Sequence, residues 1–149
     1  MKRQHDECRK WLDSYKEMRV EILRLQQKHR SLWDQATRVT PRLSPVPGGG
    51  SGDRDLLLTA LSDADDEVIG KYLEAIARQK EIEDFIDELP TDMSRIILKL
   101  RYVDLHDWLG VWNTLAKSGI DYSLDHIYRM HGIALREARE LWRQRKENT

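Results

Sequence analysis

Gly119-Ile120-Asp121-Tyr122-Ser123-Leu124-Asp125-His126-Ile127-Tyr128-Arg129-Met130-His131-Gly132-Ile133-Ala134-Leu135 decides how the chain folds. Gly119 is placed to end a helix in the left-handed conformation, which costs glycine nothing because it has no Cβ. Ser123 is placed to cap the next helix, its hydroxyl accepting from a free first-turn amide. From there Ile127, Met130, Ala134, Leu135, Ala138, Leu141 and Trp142 mark one buried helical face. The outward side begins with Leu124, Asp125, His126, Tyr128 and Arg129. Upstream, Asp107 caps an expected helix holding Trp108, Val111, Trp112, Leu115 and Ala116. Before it, Thr91 or Asp92 caps another, with Ile96, Ile97, Leu100 and Val103 on its apolar side. Helix, short turn, helix with a serine cap is the order of a helix-turn-helix, in which the last helix reads DNA.

Further out, Pro90 separates this region from a long helical pattern. Leu58, Leu61, Asp65, Val68, Tyr72, Ala75, Gln79, Ile82, Ile86 and Leu89 alternate steps of three and four, and Ile69, Leu73 and Ile76 widen the stripe. Near the N-terminus Trp11, Tyr15, Met18, Ile22, Leu25, His29, Leu32 and Ala36 follow the same heptad seam. Between the two runs lies Thr40-Pro41-Arg42-Leu43-Ser44-Pro45-Val46-Pro47-Gly48-Gly49-Gly50-Ser51-Gly52. Its prolines end a helix and its glycines loosen the chain, so it reads as a linker. No Gly-Lys-Ser/Thr ending follows those glycines and no strand pattern precedes them, which argues against a phosphate-binding loop. The expected architecture is therefore all-α: a coiled helix over 1–39, a Pro/Gly-rich linker over 40–52, a second long helix over 53–89 and a helix-turn-helix domain over 90–149. Two helices of about 35 residues are roughly 50 Å long and can fold back as a coiled-coil-like antiparallel hairpin.

Charge supports that pairing. Residues 1–42 carry 11 Lys/Arg against 6 Asp/Glu, residues 53–88 carry 4 against 12, and residues 89–149 carry 10 against 8. A basic helix and an acidic one attract, which selects pairing and register more than it adds stability. A hairpin this thin has little core of its own, so a homo-oligomer, a dimer through the remaining apolar face, is expected. The whole chain, 149 residues with net charge −1, is 40% hydrophobic, too apolar for a disordered protein. The single cysteine, Cys8, excludes an internal disulfide and fits a reducing compartment. No apolar run reaches the roughly 20 residues that span a bilayer. Met1–Glu7 lacks the apolar stretch of a signal peptide. A protein of the cytoplasm, without a membrane partner, is expected.

Catalysis and metal binding find no foothold in the sequence. His126 and His131 are five residues apart, on different helix faces, and no further ligands cluster beside His5 and Cys8. There is no nucleophile elbow, and Asp63, Asp65, Asp66 and Glu67 read as solvated helix charge. The expectation is a protein that is not an enzyme and uses no cofactor or metal.

Several residues together resemble a known group. Leu89-Pro90, Leu98-Lys99-Leu100-Arg101-Tyr102, Trp108 with Val111, Tyr122-Ser123 and Ile127 to Leu135 are similar to the sigma-factor region-4-like domain of phage and prophage regulators, among them the RinA- and ArpU-type late-gene regulators. The resemblance is dense over about 60 residues and loose elsewhere. The interval from Trp108 to Tyr122 is longer here than in that group, and Trp112 with Leu115-Ala116 is a second candidate for the matching segment. The resemblance implies a helix-turn-helix fold and a DNA-binding transcription regulator of phage or prophage genes in a bacterial host cell.

On that reading, double-stranded DNA is the partner and Ser123, Leu124, Asp125, His126, Tyr128 and Arg129 meet it. Arg129 is the foremost base-reading candidate, since a guanidinium forks onto guanine; the alternative is a helix pair with Asp125. Ser123 can cap the helix and touch a phosphate with one hydroxyl. Arg95, Lys99 and Arg101 are phosphate candidates from the first helix, with solvated surface as the alternative, and the same choice applies to Arg136, Arg139, Arg143, Arg145 and Lys146. His131, beside the buried face, reads as a structural histidine, and Trp108, Trp112 and Trp142 as core. Two further readings stay open: a sigma-like protein that docks on RNA polymerase, and a DNA-recognition subunit of phage packaging.

Overall fold

Helix α1 spans Lys2–Val39, α2 Ser51–Asp87, α3 Asp92–Leu98, α4 Trp108–Lys117 and α5 Leu124–Glu147. A π-helical turn, Lys99–Val103, continues α3. The structure, a computed structural model, describes residues 2–39 and 51–149, and all regular structure among them is helical. Most of the expected linker, residues 40–50, lies outside the described residues; its last two, Ser51 and Gly52, already belong to α2. Among the described residues no helix is long and apolar enough to cross a membrane. The chain divides into two compact units, Met18–Ile76 and a second made of Met1–Glu17 with Ala77–Thr149. This division cuts across both long helices, whereas the sequence boundaries follow helix ends.

In the unit of residues 18–76, Ile22 and Leu25 of α1 are buried, with Met18, His29, Leu32 and Ala36 partly buried, as the heptad spacing requires. Across from them, α2 buries Leu61, Ala64 and Ala75. His29 Nε2 meets Asp65 Oδ1 at 2.5 Å, and the Arg19 guanidinium stands 5.9 Å from the centre of the Tyr72 ring. A rising number on one helix is matched by a falling number on the other, so the two stretches run antiparallel here. The α2 seam is only half the expected one. Leu61, Val68 and Ala75 face inward, but the positions between them are Ala64 and Lys71 rather than Asp65 and Tyr72. A three-four alternation can pass through either neighbour, and burying the small Ala64 instead of a carboxylate avoids desolvating charge. Leu58, Ile69, Leu73 and Ile76, expected along the stripe, are exposed.

The other unit gathers residues far apart in sequence. Cys8, Leu12 and Tyr15 from the first turns of α1 are buried in it, as are Ile82, Phe85, Ile86 and Leu89 at the end of α2. Burial pushes the Cys8 thiol up to about 11, so it stays protonated at neutral pH. Trp11, Phe85 and Trp142 form an aromatic cluster, with ring centres 5.1 Å apart for Trp11–Phe85 and 5.2 Å for Trp11–Trp142. Arg78 Nη1 donates to Ser14 Oγ at 2.6 Å, Lys146 pairs with Glu7, and Arg145 pairs with Glu88 at 2.5 Å.

Pro90 ends the long helix as expected, since the residue before a proline is pushed out of the α region. The last turn tightens through Glu88 N–H to Phe85 O (3.1 Å) and Leu89 N–H to Ile86 O (3.0 Å). Thr91 holds the cap position of α3 but its hydroxyl bonds Glu137 instead of the helix amides. In α3, Ile97 is buried as expected, together with Leu98, whereas Ile96, also expected on the apolar side, is exposed. The π turn explains the slip. Asp104 N–H reaches back five residues to Lys99 O (2.8 Å), which inserts one residue into the helical phase. A seven-residue step back from Val103, read as unbroken α-helix, lands on Ile96, and the inserted residue turns that position off the packed face.

Candidate nucleic-acid interface

Helices α4 and α5 and the turn between them, residues 118–123, are built from local signals. Asp107 caps α4, its carboxylate accepting from Gly110 N–H at 2.7 Å. A Cβ on Gly110 would stand 3.0 Å from that carboxylate oxygen and 3.0 Å from His106 Nδ1, so glycine suits this closely packed cap. At the other end Gly119 has φ +87°. Its N–H bonds Ala116 O at 3.0 Å, and Ile120 N–H bonds Leu115 O at 2.9 Å. That pair of bonds is the Schellman closure, and the expected hydrophobic contact accompanies it, because Ile120 packs on the core that holds Leu115. Ser123 then caps α5, accepting from His126 N–H at 3.1 Å.

The inner face of α5 presents Ile127, His131, Ala134, Leu135 and Ala138, all buried. Ile127 joins Leu100, Val111 and Leu115 in one core, with Met93, Trp108, Ile120 and Tyr122 packed against it. His131 shares a 2.9 Å hydrogen bond with the Tyr102 hydroxyl, and the Trp108 ring meets it edge-on at 4.7 Å. Burial, reinforced by the positive charge of Arg9, Arg101 and Arg139, holds its pKa down at about 4. Burial likewise raises the Tyr102 phenol. Both groups are neutral near pH 7, as a buried hydrogen-bonded pair requires.

The outer face is where the expected contact residues lie. Ser123, Asp125, Tyr128 and Arg129 are exposed, while Leu124 and His126 are half-buried. His126 is steadied by the Tyr122 ring, 4.4 Å away and nearly perpendicular, and Tyr128 meets the Trp108 ring edge-on at 5.1 Å. Among the described residues Arg129 has no ion pair with Asp125 or any other group, and it is exposed. Arg95, Lys99 and Arg101 stand differently. Arg95 donates to Leu89 O and pairs with Asp92, and Lys99 pairs with Asp87. Arg101 donates to His106 O at 2.9 Å and stacks over Trp108 at 4.6 Å. Each of these three cations thus has a partner within the fold, although the ion pairs of Arg95 and Lys99 are exposed and individually weak.

The outward face continues through Ile133, which was not singled out in sequence, and Arg136, a phosphate candidate there; both are exposed. Spacing alone could have found Ile133, since Asp125, Arg129, Ile133 and Arg136 follow helical steps of four, four and three. Trp112, expected in the core, is 39% exposed, and Leu109 three residues before it is 60% exposed. Val111 and Leu115 take the core-facing positions of α4, and Trp112 stands about 100° around the helix from Val111.

Among known families, the model of a protein of unknown function (DUF1492) matches residues 40–138 of this chain. No curated protein and no solved structure matches it.

Proposed function

Since this chain belongs to the DUF1492 family, whose description assigns no activity, we propose from its own surface that it is a DNA-binding transcription regulator. The genes it acts on would be those of a phage or prophage, as the resemblance of residues 89–135 to region-4-like regulators implies. The observation that carries the reading is the outer face of the first turns of α5, where Arg129 is exposed and without an ion pair among the described residues, within two turns of the Ser123 cap.

The chemistry of that face suits a duplex. Arg129 can fork onto the O6 and N7 of a guanine in the major groove. The Ser123 oxygen accepts from the helix, which leaves its O–H to donate to a phosphate at the positive end of the helix dipole. Lys117 and Arg136, exposed and without ion pairs among the described residues, extend the reach to the backbone. With Asp121 and Asp125 nearby, net attraction is small, so the salt dependence of binding should be shallow, on the order of a few phosphates.

A gel shift with fragments of the source genome tests this. The wild-type chain is expected to shift particular fragments, and Arg129→Ala combined with His126→Ala to bind roughly 5- to 150-fold more weakly, as loss of a bidentate base contact dictates. Absence of any shift at low salt rejects the reading.

A second reading, a sigma-like protein docking on RNA polymerase, is favoured by one observation. Leu109 and Trp112 leave apolar surface exposed on α4 that groove binding does not use. Co-purification with polymerase that Trp112→Ala abolishes, with no DNA shift, selects this alternative.

A further inference from the structure

We propose that the exposed apolar face of residues 18–76 is covered by the same face of a second copy of this chain, with α1 of each protomer lying on α2 of the other. Ile69, Leu73 and Ile76 recur along α2 at steps of four and three, and Leu73 is 63% exposed. On α1, Leu23 is 57% exposed, and Val20 lies three residues before it. The pairs His29–Asp65 and Arg19–Tyr72 bracket Leu23 and set it level with Ile69. The same level carries an open groove of about 550 Å³ lined by Gln26, His29, Arg30, Asp65, Val68 and Ile69. Large aliphatic side chains beside an unfilled groove form a knob-and-hole surface that another helical pair can fill.

Charge selects the occupant and its orientation. Residues 18–37 of α1 carry four Lys/Arg against two Asp/Glu, whereas residues 55–76 of α2 carry one against six. On the groove side α1 presents Arg30 and α2 presents Asp65, so that face carries both signs and is complementary to itself. A two-fold axis can bring two such faces together in two ways. Running across the helices, it sets basic α1 on basic α1 and acidic α2 on acidic α2, which is repulsive. Running along them, it sets each α1 on the partner's α2, antiparallel, with opposite charges adjacent and Leu23 of one protomer level with Ile69 of the other. Opposed charges of this kind fix partner and register. This interface goes beyond the DNA-binding proposal and is measured without nucleic acid, so either can fail while the other stands.

The test is sedimentation equilibrium on the full chain, with circular dichroism to verify helicity. The wild type is expected to be a dimer, and Leu73→Glu to raise the dimer Kd by at least roughly tenfold at unchanged helicity, because the side chain is exposed in the protomer. Orientation is read by mixing Leu23→Cys chains with Ile69→Cys chains and adding a short bis-maleimide; the buried Cys8 does not compete. A mixed 23–69 product exceeding the 23–23 and 69–69 products is expected. A wild-type monomer at about 100 µM, an unchanged Kd for Leu73→Glu, or predominance of the 23–23 product overturns the proposal.

Discussion

His131 and Tyr102 show how one buried pair couples the fold to pH. His131 keeps its proton off in the folded state down to about pH 4, while the unfolded chain takes one up near the ordinary value of 6.5. Between these values the unfolded state binds more protons, so folding stability falls as pH drops from 6.5 towards 4 and is fully retained above 6.5. The shift is worth about 3 kcal/mol at its limit. Urea titrations at pH 7 and pH 4.5 are therefore expected to show a larger loss for the wild type than for His131→Gln, which can still meet the Tyr102 hydroxyl. Equal losses contradict the assignment. The position of His131 beside an apolar face was readable as structural from spacing alone. Its partner was not, because Tyr102 is 29 residues earlier and no local pattern links the two.

At the scale of elements, the turn joining α4 and α5 is the most legible part of the chain. Gly119 and Ser123 act through bonds to residues within five positions, and such short-range chemistry is written in the order of residues. Gly119→Ala is expected to lose about 1 kcal/mol, since an added Cβ meets nothing within 4 Å and the whole cost is that of holding a left-handed residue. Gly119→Asn should lose less, because asparagine tolerates that conformation better. Thermal or urea unfolding of the two variants measures the difference; equal stability of all three forms refutes the closure described. Between Leu58 and Ile76 the α2 seam was legible only in half of its positions. Leu61, Val68 and Ala75 satisfy either phase, and the choice between Ala64 and Asp65 depends on how closely α1 approaches.

For the whole molecule, the unit that carries α5 is not the last third of the chain alone. Trp11 and Phe85 pack on Trp142, so both long helices contribute to its core. Phe85 is fully buried, and Phe85→Ala is expected to cost about 3–5 kcal/mol through lost burial and the cavity left behind. Chemical denaturation followed by tryptophan fluorescence reads this directly, since Trp11 and Trp142 flank the site. A cost below about 1 kcal/mol shows that the cluster is peripheral.

Sequence alone determined that the chain is helical, where Pro90, Asp107, Gly119 and Ser123 begin or end its helices, and which side of α5 turns outward at Asp125 and Arg129. Each of these follows from periodicity or from contacts a few residues long. Tertiary structure decided which cations stay uncommitted, which helix neighbour enters a seam and which aromatics meet. Arg95, Lys99 and Arg101 look no different from Arg129 as residue types, and what separates them is the carboxylates, carbonyls and rings that folding places beside them.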